Sequence, residues 1–175
     1  MRDNIAVRDA LAVQRLKRAG AVVFGKTNVP LNNGDFQAYN EIYGTTNNPW
    51  DLARSPGGSS GGGAAAVAAG LVGMEFGSDI GGSIRNPANY CGIYGHKSTW
   101  GIIPKRGHAL ARSPIAEADL GVLGPLARSA DDLALALQAT VGADELTSAG
   151  VHYSLPAPPE TVAGLRVAVG IDEPG

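Results

Sequence analysis

The sequence predicts an α/β fold, and two helix–strand units carry that expectation. An amphipathic stretch over residues 6–19 runs into AVVFGK (21–26), and SGGGAAAVAA (60–69) runs into LVGMEFG (71–77). Helices that alternate with short apolar runs are the pattern of a sheet covered by helices. A third apolar run near the end, GLRVAVGI (164–171), reads as one more strand.

In the first helix, Val7, Ala10, Leu11, Val13 and Leu16 follow a helical spacing, opposite Arg8, Arg15, Lys17 and Arg18. Cationic residues crowd its last turn and Gly20 follows, which is a stop signal. AVVFGK then reads as a buried strand. Residues 27–58 are rich in Asn, Pro and Gly and read as loop. The helix over 60–69 has a glycine-rich start, and LVGMEFG after it is a buried-strand candidate. Asn86-Pro87 signals a break or a new helical turn, and residues 92–107 are irregular or short-stranded. VLGPLA (122–127) leads to a further helix, with Ser129 as N-cap and Asp132 as its capping-box partner. Leu133, Leu137 and Val141 form its apolar stripe, and Gly142 ends it. Residues 144–163 are a Pro-rich linker or surface loop.

Composition narrows the function classes. The 175 residues fit one domain, and 44% of them are hydrophobic while only 17% are charged. Sixteen acidic and fourteen basic residues give a net charge of −2 with no basic cluster, which argues against a nucleic-acid partner. A lone cysteine, Cys91, excludes an intrachain disulfide framework and suits a reducing compartment. No signal core and no membrane-length apolar run occur, so the expectation is a cytoplasmic protein without membrane contact.

Chemistry concentrates between Gly57 and Ser83, in GGSSGGGAAAVAAGLVGMEFGSDIGGS. The amides of Ile80, Gly81, Gly82 and Ser83 can converge in a turn beside the Ser83 hydroxyl, forming an anion-binding nest. On that motif alone a capped Gly-Gly-Ser turn is the commoner reading. Ser59 and Ser60 precede a helix, where capping is the ordinary role of such residues. Gly58-Ser59-Ser60-Gly61-Gly62 also fits a nucleophile elbow, but DLARSP before it is a poor strand. A dinucleotide fingerprint at Gly61 fails the same test, and no Walker-type phosphate loop is present. His96, His108 and His152 are scattered in loop-like sequence, so a triad such as Ser60, Asp119 and His152 exists only on paper. Lys26 and Lys97 could serve as bases, although a solvated lysine at a strand end is the simpler reading of Lys26. No CxxC, HExxH or helical His pair supports a metal site, and no cofactor motif remains.

The segment GGSSGGGAAAVAAGLVGMEFGSDIGGSIRNPANYCGIYGHKST closely resembles the defining segment of the amidase signature family. AVQRLKRAGAVVFGKTNVP and NNPWDLARSPGG resemble the stretch before it, and GLRVAV (164–169) resembles a later family strand. The resemblance covers residues 6–141 as the core of a partial amidase signature domain, and its two serines stand 24 positions apart. It implies a mixed sheet with helices on both faces. It implies Ser83 as acyl nucleophile, and Ser59, after a cis peptide, as the proton relay to a lysine base. Ile80, Gly81, Gly82 and Ser83 become the oxyanion hole, and the substrate a small-molecule amide. The family's catalytic lysine has no counterpart in this sequence, Lys26 matches a different position, and Ser98 stands where the family commonly has proline. On the resemblance, the chain corresponds to an internal piece of a family member, with exposed sheet edges and core that favour self-association. Two other readings stand beside it: a non-catalytic remnant that binds small amides or anions, and an α/β-hydrolase-like esterase using Ser60 and a histidine.

Overall fold

The computed structural model describes residues 5–108, 119–157 and 159–167. Among them lie the helices α1 (Leu11–Arg18), α2 (Gly61–Ala68), α3 (Arg85–Cys91) and α4 (Ala130–Thr140). The strands are β1 (Tyr39–Asn40), β2 (Gly44–Thr45), β3 (Met74–Asp79), β4 (Tyr94–Gly95) and β5 (Val122–Ala127). β1 and β2 form a small hairpin, while β5 sits between β3 and β4, antiparallel to both. The β3–β5 ladder runs from Met74 opposite Ala127 to Asp79 opposite Val122.

Alternation along β3 and β5 divides the apolar side chains between two cores. On one face Leu126 packs with Ala64 of α2, Ile84, and Ala88 and Cys91 of α3. On the other, Leu123 packs with Ala12 of α1, Ile103, Phe76 and Leu137 of α4. Helices therefore cover both faces of the sheet. Leu123 and Leu126 are fully buried, each contributing roughly 1.5–3 kcal/mol of apolar burial.

β5 is the central strand, yet its sequence conceals it. Gly124 and Pro125 both argue against a strand interior. Pro125 has no amide to donate, and its carbonyl accepts the His96 N–H at 3.0 Å. α4 follows its sequence signals closely: the Ser129 hydroxyl accepts the Asp132 amide and donates to the Asp132 carboxylate. Ser98, in the position noted above, is buried and donates to the Leu123 carbonyl at 2.6 Å, fastening the 95–99 segment to β5.

Four elements differ from expectation. The first helix begins at Leu11, because Ala10 is extended and the Leu11 amide turns outward to the Arg106 carbonyl. Val7 is 98% exposed and plays no part in the apolar stripe. Residues 21–26 form no strand: no described strand pairs with them, and Val22 and Phe24 are 85% and 78% exposed. An apolar run becomes a strand only where a neighbour accepts its backbone hydrogen bonds. β3 starts three residues later than LVGMEFG and leaves Leu71 exposed. Residues 164–167 are likewise not a strand, and 168–171 lie outside the described residues. Residues 144–157 contain neither helix nor strand. No helix among the described residues is long and apolar enough to cross a membrane.

Candidate active site

The loop before α2 is fixed by asparagine side chains, which can satisfy several backbone groups at once. Asn28 Nδ2 donates to the Gly44 carbonyl at 3.0 Å and lies 3.2 Å from Thr46 Oγ1. Buried Asn48 donates to the Tyr90 carbonyl at 2.9 Å, and its Oδ1 accepts the Trp50 amide. The Trp50 indole in turn donates to the Cys91 carbonyl at the C-terminus of α3. These bonds seat the chain from Asn48 to Ser55 against α3 and deliver Pro56–Ser60 into the interior.

There the Gly58–Ser59 peptide is cis. Gly58 crosses so close to the backbone of Phe36 and Gln37 that a side chain at this position has no room. Ser59 and Ser60 are 3% and 8% exposed. Ser60 occupies the cap position of α2, but its hydroxyl caps no amide; its carbonyl accepts the Ala64 N–H. The Ser60 amide donates to the Ser83 carbonyl at 3.1 Å. The two serine-bearing segments are thus in direct contact although 24 residues separate Ser59 from Ser83.

The turn from β3 to α3 is organised by Asp79, whose side chain is fully buried. Its carboxylate accepts the amides of Gly82 at 2.8 Å, Ile84 at 3.1 Å and Arg85 at 3.2 Å. Arg85 adds a two-pronged ion pair, Nε to Oδ2 at 3.1 Å and Nη2 to Oδ1 at 3.0 Å. Burial works to raise the Asp79 pKa, but the Arg85 side chain and the three amides outweigh it and hold the carboxyl below its ordinary value. With Asp79 ionised, the chain closes tightly through Gly82, whose φ of 134° is in a region that side chains rarely adopt. The Gly82 amide is spent on Asp79. The amides of Ile80, Gly81 and Ser83 carry no hydrogen bond to another described residue.

Asn86 couples the two segments. Its side-chain oxygen accepts the Gly58 amide at 3.1 Å, and its own amide donates to the Gly82 carbonyl at 2.7 Å. Motif reading passed over Asp79, Arg85 and Asn86. A signal existed for the first, because an Asp ahead of two glycines favours a turn closed by its own side chain. Nothing in the sequence indicates the reach from Asn86 to Gly58, which arises from tertiary packing.

The other candidates stay apart. No hydrogen bond links Ser60, Asp119 and His152, and His96 and His108 make none to either serine segment. Lys26 is exposed. Among the described residues, no group of three or more His, Cys, Asp or Glu is placed to hold a metal ion. Cys91 is buried, its thiol pushed up to about 11 by burial, and its Sγ contacts the Pro56 carbonyl at 3.4 Å. A thiol so protonated is inert and serves as packing.

Comparison with known proteins gives one consistent result. The family model described as Amidase matches residues 1–174. A glutamyl-tRNA(Gln) amidotransferase subunit from Rhodopirellula baltica is 44% identical over 175 residues, covering 95% of this chain and 34% of that protein. The crystal structure of the corresponding amidotransferase subunit from Thermotoga maritima superposes with a TM-score of 0.78 at 39% identity, covering 87% of this chain and 32% of that one. A bacterial aryl acylamidase of the amidase signature enzymes superposes with a TM-score of 0.76 at 31% identity, covering 87% of this chain and 30% of that one. The chain spans about a third of the length of the relatives it matches.

Proposed function

The chain belongs to the Amidase family, and on that premise we propose that it carries the acyl-transfer half of an amide-hydrolase site, with Ser83 as nucleophile and Ser59 as proton relay. The observation that carries the reading is the 3.1 Å bond from the Ser60 amide to the Ser83 carbonyl, which seats the Ser59 segment against a turn with three amides that bond to no other described residue. Attack of the Ser83 oxygen on an amide carbonyl breaks the C–N bond in two steps. The carbonyl oxygen becomes an oxyanion, and the amides of Ile80, Gly81 and Ser83 stabilise it, each such donor contributing about 3–4 kcal/mol in well-formed oxyanion holes. The Ser83 proton passes through the Ser59 hydroxyl to the leaving amine, and water then releases the acid and restores Ser83. A neutral serine is a weak nucleophile, so amide turnover in this reading also needs a base, which the family supplies as a lysine and which has no counterpart among these 175 residues. The substrate is a small-molecule amide.

An activated ester tests the assignment without demanding protonation of a poor leaving group. With p-nitrophenyl acetate, a burst of p-nitrophenolate and an acetyl group on Ser83 by peptide mass spectrometry are expected. Ser83→Ala abolishes both, and Ser59→Ala slows the burst by roughly 10²-fold or more. Acetylation elsewhere with Ser83 unmodified refutes the nucleophile.

A further inference from the structure

We propose that Phe36 is a specificity-determining residue and that the site selects amides carrying an aromatic or other bulky apolar group next to the reacting carbonyl. The inference rests on the assignment of Ser83 above and adds the class of substrate that Ser83 takes.

The Phe36–Gln37 backbone lies directly over Gly58, and that close approach fixes where the Phe36 side chain starts. From there the ring reaches the other serine segment: its Cε1 lies 3.4 Å from the position a Cβ on Gly82 would occupy. The ring edge therefore packs against Gly82, in the middle of the turn between Gly81 and Ser83. It does so while 53% exposed, and Ile80 in the same turn is 60% exposed. Two large exposed apolar side chains thus belong to this region, beside the Arg85 guanidinium that is held on the buried Asp79 carboxylate. The ring face favours an apolar group, which loses water contact on closing against it.

The ring is close to the reacting residue in the chain. Its edge packs beside Gly82, the residue next to Ser83. In this proposal the group on the acyl carbon of Ser83 lies against that ring. Closing an aryl group against Phe36 removes apolar area from water on both partners and adds a ring–ring contact. A ring buried at even half its area is worth roughly tenfold or more in binding. Acetamide, with only a methyl group, cannot use this wall.

The test measures binding and labelling separately on the whole chain. Phenylacetamide and acetamide are titrated while the ¹⁵N–¹H resonances of Gly81 and Gly82 are followed. Wild type is expected to bind phenylacetamide roughly tenfold more tightly, Phe36→Ala to lose that ratio, and Phe36→Leu to retain part of it. A ratio near one in wild type, an unchanged ratio in F36A with a dispersed spectrum, or no shift with either amide overturns the proposal. If F36A does not fold, the wild-type ratio and F36L decide, because a leucine that leaves the ratio untouched also overturns it. Labelling of Ser83 by a fluorophosphonate is scored in the same samples. Aryl selectivity without labelling upholds the Phe36 wall and rejects the nucleophile; labelling without selectivity does the reverse.

Discussion

The β3–α3 turn and residues 21–26 reverse the ordinary expectation of what lies inside. Asp79 is charged and wholly buried, whereas Val22 and Phe24 are apolar and largely exposed. Partners account for both. Asp79 collects three amides and a bidentate guanidinium, so its lone pairs are satisfied without water. The backbone of residues 22–24 pairs with no strand among the described residues, and the side chains of Val22 and Phe24 stay largely in solvent. Polarity sets what burial costs, and the availability of partners decides whether burial occurs.

Removing the partners of the buried carboxylate strikes hardest. Asp79→Asn keeps the shape and one acceptor but loses the charge that Arg85 and three amides converge on. It is expected to cost about 2–3 kcal/mol of stability, measured by denaturant unfolding, and to abolish the ester burst. Because the Asp79 pKa is depressed on folding, its stabilisation is present above its ordinary pKa of 3.8 and is lost as pH falls through the lower folded value. D79N removes that pH dependence, and a variant as stable as wild type at neutral pH would break the comparison.

Next in size is a contrast between two glycines. Gly58→Ala drives a methyl into the Gln37 backbone, which cannot yield as a side chain does, and should cost at least about 1–3 kcal/mol. Gly81→Ala meets open space and should change stability by less than about 0.5 kcal/mol. Equal melting temperatures for the two would show that the crossing of Gly58 and Gln37 is not tight.

Glu75 lies on the same face of β3 as Asp79 and gives a smaller effect of opposite sign. Burial raises its pKa, and the Thr27 hydroxyl at 3.2 Å offsets this only in part. Folding then favours the protonated form, a contribution that is present below the ordinary value of 4.5 and lost as pH rises through the folded one. Glu75→Gln should raise the melting temperature near neutral pH, with the gain vanishing in acid. An unchanged difference across the pH range would contradict this. Smallest of all, Phe24→Ser should alter stability by less than about 0.5 kcal/mol, and a larger loss would mean that the segment packs after all.

How much of this the sequence revealed follows the same rule. Short-range signals were legible: the Ser129–Asp132 cap and the helix after Ser60 could be read directly, whereas the link between the two serine segments came only from the family resemblance. Elements defined by distant partners were not. β5 hides behind Gly124-Pro125 because its strand character comes from β3 alongside it, and 21–26 resembles a strand because apolarity alone says nothing about neighbours. In the site, the glycines and serines announce the turn, but Asp79 and Asn86 acquire their tasks only when α3 packs beside the Gly58 segment. Phe36 stands in a stretch that reads as loop, and only the fold brings its ring to Gly82.

The most direct test of the account is covalent labelling of the chain with a fluorophosphonate probe, located by peptide mass spectrometry. The predicted result is an adduct on Ser83 that forms faster as pH rises, disappears in Ser83→Ala and persists in Ser60→Ala. An adduct on Ser60, or an unmodified Ser83 after prolonged exposure at high probe concentration, would contradict it.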